Sequence, residues 1–260
     1  MTIQQAIDRI TAKFNGKSGE HTVDTLKSGD PSQTVRAIVV TFMATREVFA
    51  QAVAKGANLV ITHEPTFYNH LDEEEWLRTD PVYESKRKFI DQHGLAVWRS
   101  HDLPHIHRPD MIVAGMAREL GWEKNQVPDS PHGFLLTPQT LQQLAQHCKD
   151  KLGIKTVRFA GDPTMTCTRV SLRVGAGGGR PAINDLMAGA EVVIAGESPE
   201  WETCEYVRDS AAAGEKKALI VLGHANSEEG GMKWMSEWIA GILPEVPVTY
   251  IPAGDPFRFV

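Results

Sequence analysis

What most constrains this chain is a recurring unit: a short, almost uninterrupted apolar run, closed by polar residues and followed by a helical pattern. Such runs occupy residues 35–42 (VRAIVVTF), 58–62 (NLVIT), 95–99 (LAVWR), 191–195 (EVVIA), 218–222 (ALIVL) and 246–251 (VPVTYI). A strand with one wet face alternates apolar and polar residues. A run that does not alternate reads as a strand buried on both faces. Segments 46–56, 81–92, 111–120, 141–152 and 232–243 carry apolar residues at helical spacing between or beside these runs. At the start, Thr2 and Gln5 have capping-box spacing, and Ile3, Ile7 and Ile10 mark one face of an opening helix. Strands alternating with helices predict an α/β protein with mainly parallel sheets.

The 260 residues suit one large domain or two small ones, at about 100–200 residues per domain. The stretch 127–138 (VPDSPHGFLLTP), with its three prolines and a glycine, reads as a crossover. We therefore expect two α/β lobes. Residues 1–126 and 218–260 would form one, and 127–217 an inserted smaller one. Residues 15–34 read as loop.

Charge and cysteine content narrow the function classes. The chain has 27 basic and 33 acidic residues, a net charge of −6, which is not the footprint of a nucleic-acid binder. No apolar run reaches the roughly 20 residues of a membrane span. The N-terminus MTIQQAIDRITAKF has no apolar signal-peptide region. Cys148, Cys167 and Cys204 are odd in number and form no CxxC, which points to a reducing, cytoplasmic compartment.

The chemistry sits in three segments that each follow a predicted buried strand: ITHEP (61–65), SHDLPHIH (100–107) and GHANSEEGGM (223–232). In open parallel sheets, ligands bind beyond the carboxyl ends of the strands, so the three could converge on one crevice. His63 and Glu64 are adjacent; His101 and His105, and likewise His224 and Glu228, are spaced i,i+4. Imidazole and carboxylate suit Zn, Fe, Mn, Co or Ni. Six such side chains exceed what one tetrahedral ion needs and suit two divalent ions with a bridging carboxylate. Asp102 and His107 are spare candidates, and Asp102 could instead fix an imidazole tautomer. Glu229 and Asp102 are the candidates to move protons. The glycine run VGAGGGR (174–180) lacks the Gly-Lys-Ser/Thr of a P-loop and reads as a tight turn. Cys148, Cys204, Trp234 and Trp238 read as packing residues, and His70 as a surface residue near the first motif that could instead line the pocket.

In this order and spacing, ITHEP, SHDLPH and GHANSEEGGM, with GAEVVIAGE (189–197), resemble the NIF-three-like family over most of the chain. Its bacterial members are described as dinuclear metal centre proteins or GTP cyclohydrolase type 2 homologs. The family pattern is ITHHP, then H-x-x-x-D, then GH-x-x-SE and a Gly-Met turn. His63, His101, His224 and Glu228 match it. Glu64 stands where a histidine is usual, and His105 where an aspartate is usual, so four imidazoles and two carboxylates are kept. The resemblance implies similar α/β lobes, a two-metal site and a ring-like homohexamer. With the residues, it points to a metal-dependent hydrolase that activates water against an anionic phosphorylated or nucleotide-like small molecule. The alternative is a metal-loaded scaffold or regulatory binding protein without turnover.

Overall fold

The computed structural model describes residues 1–260. Its first half carries α1 (Ile3–Thr11), β1 (Leu26–Ser28), β2 (Ile38–Thr41), α2 (Arg46–Ala54), β3 (Leu59–Thr62), α3 (Pro81–Gln92), β4 (Ala96–Arg99), α4 (Asp102–Ile106) and α5 (Met111–Leu120). Then follow β5 (Gly133–Thr140), α6 (Leu141–Leu152), β6 (Arg158–Ala160), β7 (Thr166–Arg173), α7 (Arg180–Met187), β8 (Val192–Ala195), α8 (Glu205–Ala212), β9 (Ala218–Val221), α9 (His224–Ile242) and β10 (Val248–Tyr250). The chain divides into two compact units, Met1–Met111 with Met232–Ala253 and Ile112–Gly231 with Gly254–Val260.

The first unit is built on a five-stranded sheet of order β1-β4-β3-β2-β10. All neighbours are parallel except β1, which runs antiparallel to β4. Ile38, Leu59 and Ala96 are in register, which aligns the strand exits at Thr41, Thr62 and Arg99. Every residue of β2, β3 and β4 is buried, as their unbroken apolar runs require. Val48, Phe49 and Ala52 of α2 and Ile90 of α3 pack with Val39, Val60 and Val97. Thr45 caps α2 by accepting from the Val48 N–H, and Asp80 caps α3, with Pro81 in its first turn. The capping box of Thr2 and Gln5 opens α1, which buries Ile3, Ala6, Ile7 and Ile10.

The second unit has a sheet of order β5-β7-β8-β9-β6. β7, β8 and β9 are parallel, with antiparallel β5 and β6 at the edges. Strand alternation sends Val192 and Ile194 to a core with Phe134, Leu144 and Leu172, and Val193 and Ala195 to one with Leu186 and Val207. Cys148 and Cys167 are buried and unbridged, and burial pushes the Cys148 thiol up to about 12.

Four local differences from the sequence reading have physical causes. β9 is hydrogen-bonded between β8 and β6, so it belongs to the second sheet, whereas the expected boundary at 217/218 grouped it with the first. β5 begins inside the stretch read as crossover and runs two residues past it; its register shifts between Leu135 and Gln139, which accommodates Pro138 at a sheet edge. β1 falls in the segment read as loop. Gly231-Met232, which stands at the Gly-Met turn of the family pattern, lies inside α9 together with Gly230. A Cβ on Gly231 would sit 2.5 Å from Ile112 Cα, and one on Gly115 2.5 Å from Gly231 Cα, so these glycines let α5 and α9 touch backbone to backbone. No helix is long and apolar enough to cross a membrane.

Candidate metal centre

Three histidines of the first unit meet where β3 and β4 end. His63 directly follows β3, Ser100 separates His101 from β4, and His105 lies one turn further on in α4. Parallel, in-register strands place the two exits side by side. Ring centroids are 4.6 Å apart for His63 and His101, 5.1 Å for His63 and His105, and 5.2 Å for His101 and His105. One nitrogen from each ring lies within 4.8 Å of the other two.

Each ring is oriented through Nδ1. His63 engages the Ser100 carbonyl at 3.2 Å, His101 the Asp102 carboxylate at 2.9 Å, and His105 the Asp110 carboxylate at 3.0 Å. A ring that donates from Nδ1 carries its lone pair on Nε2, the arrangement that orients metal-ligating histidines. Burial, then the neighbouring His101 and His105, hold the His63 pKa well below the usual histidine value. His63 is therefore neutral at neutral pH and needs no deprotonation to bind an ion.

The segment carrying His101 and His105 is fixed by Asp24. Its Oδ1 accepts from the backbone N–H of His101 at 2.6 Å and of Asp102 at 2.8 Å, and its Oδ2 from that of Leu103 at 2.8 Å. Asp24 thus serves the exposed donors at the start of α4 from outside the helix. Asp102 accepts from the Thr22 hydroxyl at 2.8 Å and the Val23 N–H at 3.3 Å. Burial pushes the Asp102 carboxyl up, but hydrogen bonds from His101, Thr22 and Val23 outweigh it and hold the carboxyl below its usual value.

Glu64 places Oε1 3.7 Å from His101 Nε2 and Oε2 3.7 Å from the Arg99 guanidinium. Arg99 is fully buried, donates to the His63 carbonyl at 3.1 Å and to the His70 carbonyl, and pairs with Asp72 at 3.5 Å. It therefore ties the loop after β3 to the end of β4. The exposed His70 ring stands 5.9 Å from that of His101. His107 does not join the cluster; its ring packs edge-on against Phe14 and Trp238, at 5.8 and 6.0 Å.

In the second unit, His224 opens α9 between two carboxylates. Its Nδ1 is 2.8 Å from Glu197 Oε1, and its Nε2 is 3.2 Å from Glu228 Oε2, one turn along the helix. The glycine run read as a tight turn is one, between β7 and α7, and it lies against this pair. A Cβ at Gly175 would sit 2.3 Å from Glu228 Oε1 and 3.1 Å from His224 Nε2, and Gly175 has φ +59°. Its N–H donates to the Ser227 hydroxyl at 2.9 Å. Glu229 accepts from the Gly254 N–H at 2.8 Å.

The structure thus gathers His63, Glu64, His101 and His105 in one unit and pairs His224 with Glu228 in the other. Asp24, Asp110 and Glu197 support these sets and were not singled out from sequence. Three anchored imidazoles beside a carboxylate are nitrogen and oxygen donors that fit a divalent transition ion.

Comparison with known proteins finds relatives along nearly the whole chain. The family model described as Duf34/NIF3 (NGG1p interacting factor 3) matches residues 1–256. A "GTP cyclohydrolase 1 type 2 homolog" of Clostridium perfringens is 26% identical over 263 residues, covering 96% of this chain and 95% of that protein. One of the same description from Clostridium acetobutylicum is 23% identical over 252 residues, covering 90% of this chain and 89% of its own. The crystal structure of a Bacillus cereus protein related to NIF3 superposes with a TM-score of 0.79 at 15% identity, covering 100% of this chain and 99% of that one.

Proposed function

The chain belongs to the Duf34/NIF3 family, and from that premise we propose that it is a metal-dependent hydrolase acting on a phosphorylated or nucleotide-like small molecule. The observation that carries this is the set of three imidazoles, each oriented through Nδ1 by a carbonyl or carboxylate. His63, Glu64, His101 and His105 would hold one divalent ion, and His224 and Glu228 would contribute to holding a second. When bound, such ions lower the pKa of water and polarise the scissile group.

The chain's own residues supply the rest. Asp102 and Asp110 keep His101 and His105 in the ligating tautomer. Asp24 holds the backbone that carries both rings. The neutrality of His63 leaves it ready as a ligand, and Arg99 offsets the charge of Glu64. Glu229 would move protons, drawing on a carboxylate now hydrogen-bonded only to a backbone N–H. The compartment we propose is the cytoplasm, in keeping with three unbridged thiols. The assembly we propose is the homohexamer that the family resemblance implies.

The Arg99–Glu64 ion pair favours a second reading, in which Glu64 is balanced by protein and the chain is a metal-loaded scaffold without turnover. A panel of phosphoesters and cyclic amides separates the two. Hydrolysis that a chelator abolishes and added Zn, Mn, Fe, Co or Ni restores supports the hydrolase. Absence of turnover across the panel with metal-loaded protein contradicts it.

A further inference from the structure

A cleft of about 830 Å³ opens in the first unit beside the histidine cluster. The start of α2, the loop after β3 and the start of α3 line it, through Arg46, Glu64, Tyr68, His70 and Lys86 among others. Glu64 belongs to both the cleft and the cluster, so a ligand seated here reaches the ion proposed for that cluster.

Lys86 is only 6% exposed, yet its ammonium makes one hydrogen bond, to the Thr66 carbonyl at 2.6 Å. It has no carboxylate within ion-pair distance; Asp72 and Glu47 act on it from further away. Its other surroundings are the rings of Tyr68, Phe49 and Phe67, at 5.0, 5.8 and 5.9 Å. A buried ammonium with two of three donors unspent favours an incoming anion. Burial lowers its pKa to about 8, which leaves it charged at neutral pH.

Arg46 is the second cation. Its guanidinium stacks 3.5 Å over Phe89, and its buried Nε has no hydrogen-bond partner. α2 presents its N-terminus to the cleft, where negative charge is favoured; the N–H groups that open α3 are already taken by Asp80. The acidic side chains of the lining are Glu47 and Glu64, the latter already facing Arg99 and His101.

The remaining feature is Tyr68. It is 52% exposed and has φ +64°, a left-handed conformation that bulky residues rarely adopt. Such conformations persist where the surroundings impose them, often at ligand sites. Here it presents an aromatic face at the cleft, beside the ammonium.

We propose that this cleft binds a planar aromatic or heteroaromatic ring bearing a phosphate, with the phosphate on Lys86 and Arg46 and the ring on Tyr68. This deepens the hydrolase reading by locating the part of the substrate that does not react, and it rests on that reading for its relevance to turnover. The binding itself needs no metal.

The test uses chelator-treated full-length protein with phenyl phosphate, inorganic phosphate and phenol as probes, followed by calorimetry. Phenyl phosphate should bind saturably and at least tenfold more tightly than either fragment. Lys86→Met and Arg46→Met should each weaken it at least tenfold. Tyr68→Ala should weaken phenyl phosphate but not inorganic phosphate. In the wild type, phenyl phosphate should also protect Lys86 from acetylation by acetic anhydride, read by peptide mass spectrometry; this decides the matter if Lys86→Met does not fold. No saturable binding, or binding unchanged in the Arg46 variant with no protection of Lys86, overturns the proposal. Because no ion is present, failure here leaves the hydrolase reading standing, and failure of turnover leaves this site standing.

Discussion

Replacing Asp24 by alanine should loosen the metal centre without touching a ligand. Asp24 accepts three backbone N–H groups, from His101, Asp102 and Leu103, at 2.6, 2.8 and 2.8 Å. Hydrogen bonds to a charged group contribute about 1.5–3 kcal/mol each when a partner is removed, and loss of a helix cap typically costs about 1 kcal/mol. The three donors sit at the start of a short helix and are partly re-solvated once the carboxylate goes, so the contributions do not add in full. We expect Asp24→Ala to cost about 2–3 kcal/mol, lowering the Tm of the metal-free protein by roughly 4–12 °C. Asp24→Asn keeps an oxygen for His101 and Asp102 but turns an N–H₂ toward Leu103, and should fall between. Metal affinity should drop about 10–100-fold in Asp24→Ala, the usual effect of losing an outer-shell support. Differential scanning fluorimetry on chelated protein and metal titration of the refolded variants measure both. A Tm within 1 °C of wild type, with unchanged metal affinity, would refute the assignment of Asp24 as the residue that positions His101 and His105.

Other expectations follow from the same geometry. Gly175→Ala adds a Cβ 2.3 Å from Glu228 Oε1 at a φ of +59°. It should cost at least about 1–2 kcal/mol, and it should weaken ion binding by His224 and Glu228, read by Tm and metal titration. His63 has a depressed pKa in the fold, so its neutral form is the stabilising one. Stability of the metal-free protein should be flat above the unfolded histidine value near 6.5 and fall as pH drops below it, by up to about 1.4 kcal/mol per pH unit from this group. Unfolding midpoints between pH 8 and pH 5 check this, and a His63→Gln variant should show a shallower acid limb. Arg99→Met removes the donor to the His63 carbonyl and the partner of Glu64 and Asp72. Lys27 still pairs with Asp72 at 3.6 Å, so the loss falls mainly on Glu64 and should cost about 3 kcal/mol, the low end for breaking a buried pair, seen as a lowered Tm or poor soluble yield.

The buried strands were readable because burial on both faces leaves a composition that few other structures produce; β2, β3, β4, β8 and β9 each coincide with such a run. β5 was masked because prolines signal a turn unless a bulge at a sheet edge absorbs them, and that depends on the partner strand. The same contrast governs the site. His63, His101 and His105 stand out because histidine at a strand exit is uncommon chemistry in a constrained place. Asp24, in a polar loop, and Asp110, after the second motif, look like any solvated carboxylate until the fold brings them to α4 and His105. Gly175 looks like a turn glycine in sequence, and only the packing of Glu228 against its backbone shows why no side chain fits.

Metal content per chain tests the central claim most directly. Elemental mass spectrometry on protein purified without an affinity tag should find about two divalent transition ions per wild-type chain. A His101→Ala, His105→Ala double variant, which leaves the fully buried His63 in place, should fall to about one while remaining folded. A wild-type chain that carries no transition metal after reconstitution, or a folded double variant that retains the full complement, would contradict the assignment of these histidines as ligands.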